Sequence, residues 1–301
     1  MSIDAAQVGR DQIDARLRIL LPEQYQETYD SIEPNSMGSA ALKFDADGNV
    51  AWNEIWQSFC DLAMAGGPPH KGQLLEPGAP EAIAANPEQY NKVVDEICRG
   101  IAMAADLPTQ RNGGAGWIAV HCHSATMADW LSRAIVMENV AARSAGVMLY
   151  LPAAPHFRLD KEIKNVVTVI AKTAHYWTGH MSRSQKTLVA DLFTRMAAES
   201  PLLEPHVTSR TTEADVDVLA STLAGETGLT RSGRRYAGWV GFEGPSVAAA
   251  VWMMRALVAH NVLARREETA VFVPIDEVQD PDGRRVQRLL GMVYRLCPTC
   301  R

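Results

Sequence analysis

The chain has 301 residues, 47% hydrophobic and 21% charged, which is enough apolar material for one large core or two coupled ones and excludes a disordered chain. A formal net charge of −6 argues against nucleic acid or an anionic membrane as a partner, because either would demand an excess of clustered Lys and Arg. No apolar run approaches the ~20 residues of a bilayer span, and Asp4, Arg10, Asp11 and Asp14 occupy the place where a signal peptide keeps an uncharged run, so a cytoplasmic protein is expected.

Residues 1–50 form an N-terminal extension: an amphipathic helix near 6–20, an irregular stretch, and a hairpin turning at Asp45-Ala46-Asp47-Gly48-Asn49. A calcium loop is disfavoured there, because the twelfth position from Asp45 is Trp56 rather than Glu. Residues 51–155 read as a first α/β unit, with a helix at 52–65, a Gly/Pro-rich loop at 66–78, a helix at 80–105, a strand at 117–121, a helix at 126–144 and a strand at 147–151. Residues 156–278 read as a second unit, with helices at 161–178, 184–199 and 213–225, a strand at 239–242, a helix at 247–266 and a strand at 270–273. Residues 279–301 hold a turn, a helix at 286–296 and the sequence Cys297-Pro298-Thr299-Cys300.

Residues 116–153 and 238–275 align without a gap at an offset of 122, and 13 of the 38 positions are identical. About 2–3 identities are expected from average composition. The identities include Trp117 with Trp239, Trp130 with Trp252, Arg133 with Arg255 and Arg143 with Arg265. The expected fold class is therefore α/β with internal duplication: two units related by a pseudo-twofold axis, each a βαβ crossover with parallel strands plus preceding helices. Ser124 and Ser246 are placed to cap the crossover helices.

The copies diverge most at the end of their first strand, where one reads His121-Cys122-His123 and the other Glu243-Gly244-Pro245. Parallel sheets bind ligands outside the carboxyl ends of their strands. The ends of the second strands, expected at the same edge, carry His156 in one copy and Asp276 in the other. If the halves meet about the axis, His121, His123 and His156 face Glu243 and Asp276 across a shared crevice, a donor set suited to Zn, Fe or Mn with an open position. In catalysis without metal, His121 and Glu243 are base and orienting group, and Cys122 is a nucleophile.

Substrate-binding candidates are Arg133, Arg143 and Arg255, as carboxylate or phosphate ligands, and His70 and Lys71 at the tip of the stiff Gly66–Gly72 loop. Asn139 and Arg143, like Asn261 and Arg265, are expected on one helix face, with the Arg in the last turn. His175 and His180 are five apart, unlike the four-residue spacing of a metal-binding helix. Five scattered cysteines do not form a disulfide framework, so reduced thiols are expected. The function these residues suggest is an enzyme acting on a small anionic metabolite by metal-assisted or His/Cys-based hydrolysis, hydration or lyase chemistry. The alternative is a non-catalytic cofactor- or metal-binding assembly protein. The architecture alone is similar to that of chelatases that insert metal into tetrapyrroles, although none of their motifs is present. Oligomeric state is left open by the sequence.

Overall fold

In chain order the helices and strands are α1 (Ile3–Leu20), α2 (Pro80–Ala85), α3 (Pro87–Ala105), β1 (Thr109–Gln110), β2 (Trp117–His121), α4 (Ala125–Met137), β3 (Arg143–Ala145), β4 (Met148–Pro152), α5 (Lys164–Gly179), α6 (Arg183–Glu199), α7 (Glu213–Thr227), β5 (Thr230–Arg231), β6 (Trp239–Glu243), α8 (Val247–Val258), β7 (Arg265–Glu267), β8 (Ala270–Pro274) and α9 (Arg284–Leu296). The computed structural model describes residues 3–32, 41–58, 61–111, 113–206 and 213–300. They fall into two compact units, one of Pro22–Arg183 and one combining Met1–Leu21 with Ser184–Arg301. No helix among the described residues is long and apolar enough to cross a membrane.

The unit of Pro22–Arg183 is built around a four-stranded sheet of order β1-β2-β4-β3, antiparallel throughout. Ser124 starts α4 as expected: its extended backbone turns the side chain back to accept from Met127 N at 3.1 Å. The helix then stops at Met137, not at 144, because Asn139 takes a left-handed conformation with φ of 60°. Asn tolerates that region better than most residues. The chain next forms β3, turns at Gly146 with φ of 58°, and returns as β4.

This extra strand corrects the expected parallel sheet. Strand β3, which follows the crossover helix, runs in the direction of β2 but is separated from it by β4. The neighbour of β2 is β4, antiparallel, with Trp117 opposite Pro152 and His121 opposite Met148. Buried Ile118, Val120, Leu149 and Leu151 form one part of the core, which α4 covers, and α5 packs between α4 and α3. Trp130 and Trp177 meet within it at 5.6 Å between ring centroids.

The second unit holds a sheet of the same order, β5-β6-β8-β7, with the same register: Trp239 opposite Pro274 and Glu243 opposite Ala270. Ser246 caps α8 through Ala249 N at 3.1 Å, and Asn261 again has φ of 60°. Helix α9 lays Val286, Leu290, Val293 and Leu296 into the core, a spacing of one helical face, against α7 and α8. Arg143 and Arg265 open β3 and β7 instead of closing a helix, and each covers aromatic rings. Arg143 lies 4.6 Å from Trp117 and 4.9 Å from Tyr150, and Arg265 lies 4.2 Å from Tyr236 and 4.0 Å from Phe272.

Candidate functional site

A polar cluster lies inside the unit of Pro22–Arg183, where helix α5 should be wholly apolar. Lys164, Thr168 and Lys172 follow one another at four-residue spacing, so they share a face, and all three are buried, Lys172 completely. A lysine is almost never fully buried without a partner. The partner of Lys172 is Glu138, whose Oε1 is 2.7 Å from Nζ and is also fully buried. The same oxygen accepts from Ala63 N at 2.9 Å, and Lys172 Nζ donates to Asp61 O at 3.5 Å. Glu138 is thereby fixed by the segment preceding the Gly/Pro loop, and Lys172 by both.

The loop itself is held at both ends. Gly66 adopts φ of 101°, and Gly67 N donates to Leu62 O at 2.9 Å. Asn139 Nδ2 donates to Lys71 O at 2.9 Å, and Asn139 O accepts from Leu75 N at 2.9 Å. The left-handed turn that ends α4 is thus also the clamp that places His70 and Lys71. Although the ring of His70 is partly exposed, its Nε2 is buried and has no partner within the protein. Burial first, then the charges of Lys172, Lys164 and Lys71, hold its pKa well below the ordinary imidazole value. His70 is therefore neutral at pH 7 and sits in a positive field. Glu138 Oε2 and Asn165 Nδ2 are likewise buried without a partner.

On the other side of Asp61, its Oδ1 accepts from Tyr25 OH at 2.8 Å, and the Tyr25 and Tyr176 hydroxyls are 2.6 Å apart. Burial, reinforced by the Tyr176 hydroxyl, raises the Tyr25 pKa, which keeps it a phenol. Beyond Tyr176, exposed His175 and His180 bring their Nε2 atoms to 3.1 Å. Tyr25, Asp61, Lys172 and Glu138 form a continuous hydrogen-bonded chain, with His70 and Lys164 beside its buried end.

No known protein family, curated protein or solved structure matches the chain.

The residues singled out from sequence distribute differently. His121 and His123 are exposed at one edge of the sheet. His156, also exposed, follows Pro152, which is paired with Trp117 at the opposite end of β2. The antiparallel pairing therefore separates His156 from His121 and His123, which a parallel sheet would have joined. The same pairing separates Asp276, beyond Pro274, from Glu243, which lies opposite Ala270. Glu243 accepts from Thr269 Oγ1 at 3.0 Å, and Asp276 Oδ1 accepts from the backbone of Val278 and Gln279 at 3.0 and 2.9 Å, the pattern of a turn cap. Among the described residues no three His, Cys, Asp or Glu side chains converge as a metal site.

Cys122 is fully buried, and burial pushes its thiol up to about 12. A thiol so placed is protonated at neutral pH, which removes it as a nucleophile. Arg133 and Arg255 are buried within their helices, and Arg133 Nη1 donates to Asp129 O at 2.9 Å. Arg143 is exposed and lies over Trp117 and Tyr150. The expectation of reduced thiols throughout is corrected at Cys297 and Cys300, which are joined in a disulfide across a turn with Cα atoms 5.3 Å apart. Cys98 and Cys122 are free, and Cys60 lies outside the described residues.

His70 and Lys71 were found from the rigidity of their loop, whereas Lys164, Lys172, Glu138, Asn165, Tyr25 and Tyr176 were not. Two signals in the sequence point to them. Glu138 aligns with His260 within the otherwise similar segments 116–153 and 238–275, and a Lys-Thr-Lys stripe at helical spacing interrupts an apolar helix.

Proposed function

We propose that the chain is an enzyme acting on a small anionic metabolite, received within the unit of Pro22–Arg183 by Lys71 and Lys164, with neutral His70 as the base. The carrying observation is the buried, partnerless Nε2 of His70 in a field made positive by three lysines. An anion is what such a field favours, and a neutral imidazole beside it can take a proton from a bound hydroxyl, water or carbon acid. Hydration, hydrolysis and lyase-type elimination all need that step. All of these residues lie in one unit, unlike the shared crevice expected from the sequence. The buried ion pair of Lys172 with Glu138 compensates one of these cations, and Asp160 also acts on Lys164, so the site is moderately rather than strongly positive.

Duplication of an ancestral module is part of the proposal. It is supported by the 13 identities in 38 positions and by two sheets of one order and one register, each flanked by a Ser-capped helix and a left-handed Asn. On this view one copy acquired Glu138 where its sibling has His260.

Calorimetric titration with inorganic phosphate and with small mono- and dicarboxylates tests the binding step. Saturable binding weakened on the order of tenfold in Lys164→Gln, the worth of one charge-assisted hydrogen bond, is the expected result. Unchanged affinity in Lys71→Gln and Lys164→Gln would place the ligand elsewhere. Turnover screened by NMR over a mixture of anionic metabolites tests the chemistry: His70→Gln should keep binding and lose turnover. Binding without any turnover in the native protein would leave a carrier rather than an enzyme.

A further inference from the structure

We infer that Cys297 and Cys300 form a redox-active site in the second unit, exchanging electrons with a dithiol or disulfide partner, independently of the anion site. The backbone turn that carries the two sulfurs is closed without the disulfide: Cys297 N donates to Val293 O at 3.0 Å and to Tyr294 O at 3.3 Å, and Cys300 N donates to Cys297 O at 3.5 Å. Helix α9 is anchored just before the turn by Leu290, Val293 and Leu296, all buried. A covalent link around a loop this short constrains the unfolded chain less than a longer one would. The bond therefore adds little that the turn and the apolar anchor do not already supply. What the turn does supply is a backbone, bonded independently of the sulfurs, that keeps the two Cα atoms 5.3 Å apart, and Cys-X-X-Cys spacing is that of reversible dithiols.

The two sulfurs are not equivalent. Cys297 is 2% exposed at the end of α9, while Cys300 is only half-buried, with exposed Pro298 and Thr299 between them. Thr299 Oγ1 is 3.6 Å from Cys297 Sγ. An incoming thiolate attacks Cys300 Sγ, forming a mixed disulfide as the Cys297–Cys300 bond breaks. The electron pair leaves on Cys297 Sγ, where the Thr299 hydroxyl can donate to the new thiolate before it takes a proton from water. The second thiolate of the reductant then attacks its own sulfur in the mixed disulfide, and Cys300 leaves and is protonated in turn. In sum the pair gains two electrons and two protons, and one dithiol becomes one disulfide. Thr299 is a positioning residue in this scheme.

The full-length protein, equilibrated with graded ratios of reduced and oxidised dithiothreitol and quenched with a maleimide-polyethylene glycol, reads the state of the pair directly. Two thiols that become modifiable together in the folded protein, and are lost again on addition of the oxidised form, are expected. The melting midpoint should then fall by only a few degrees, as a link around so short a loop allows. In the presence of oxidised glutathione, Cys297→Ser should trap a mixed disulfide on the order of tenfold more than Cys300→Ser, because only the former keeps the accessible sulfur. Thr299→Val should slow reduction without changing the melting midpoint. Thiols that appear only on unfolding, a large fall in the midpoint on reduction, or equal trapping in the two Ser variants would each overturn the assignment.

Discussion

Lys172 Nζ and Glu138 Oε1 lie 2.7 Å apart with both side chains wholly removed from solvent. A buried pair of this kind contributes little net stability, since desolvation offsets attraction, yet removal of one partner strands the other charge. Lys172→Met should therefore destabilise the protein by about 3–5 kcal/mol. The double variant Lys172→Met with Glu138→Leu should recover most of that loss. Urea unfolding monitored by tryptophan fluorescence measures both. An equal loss in single and double variants would show that the pair is held for packing rather than for charge.

The depressed pKa of His70 carries a definite pH dependence. The unfolded chain takes a proton on this imidazole near the ordinary value of about 6.5, whereas the folded protein resists protonation to well below it. Stability linked to His70 is thus fully present above that value and is lost as pH falls from it toward the folded pKa. The stability difference between the native protein and His70→Gln should shrink between about pH 7 and pH 5 in favour of the variant. Heteronuclear NMR of the imidazole should show the neutral form persisting below pH 6, and Lys164→Gln should raise its titration midpoint.

Asn139 and Asn261 make the same turn with different consequences. Each has φ of 60°, and each side-chain Nδ2 donates at 2.9 Å to a backbone carbonyl, that of Lys71 for Asn139 and that of Ser200 for Asn261. Replacement by Ala removes one hydrogen bond and forces a left-handed alanine, together about 2–3 kcal/mol at either position. Only Asn139→Ala releases the carbonyl of Lys71, so only that variant should also weaken phosphate or carboxylate binding. Thermal melts and calorimetry on the two variants separate the effects.

Arg143 and Arg265 are aligned in sequence and both cover aromatic rings, but they differ in burial. Arg265 is fully buried and paired with Glu267 at 2.5 Å, also fully buried, whereas Arg143 is exposed. Arg265→Lys should cost about 3 kcal/mol or more, because a point charge cannot satisfy the same carboxylate while stacking on Tyr236 and Phe272. Arg143→Lys should cost under about 1 kcal/mol, as exposed cation–π contacts do. Melting midpoints of the two variants check the contrast.

Sequence periodicity by itself determined the α/β class, the existence of the paired segments, the Ser124 and Ser246 caps and the rigid His70 loop, because each rests on local patterns: apolar spacing, a hydroxyl before a helix, or Gly and Pro in series. It extended the crossover helices through Arg143 and Arg265, since Val140 and Ala142 continue a plausible apolar face and nothing local announces that Asn139 will turn left-handed. That turn releases β3, and the tight turns at Gly146 and Glu268 then reverse the chain, which moves His156 and Asp276 away from the strand ends that hold His121 and Glu243. Only the tertiary structure could decide this, because strand direction is set by hydrogen bonds between residues more than 30 apart, such as that from Ala153 N to Gly116 O. The polar cluster was hidden for the same reason. Lys164 and Lys172 are ordinary solvated lysines until Glu138, Asp61 and the 66–72 loop, contributed by distant parts of the chain, close over them and turn surface charge into a buried field.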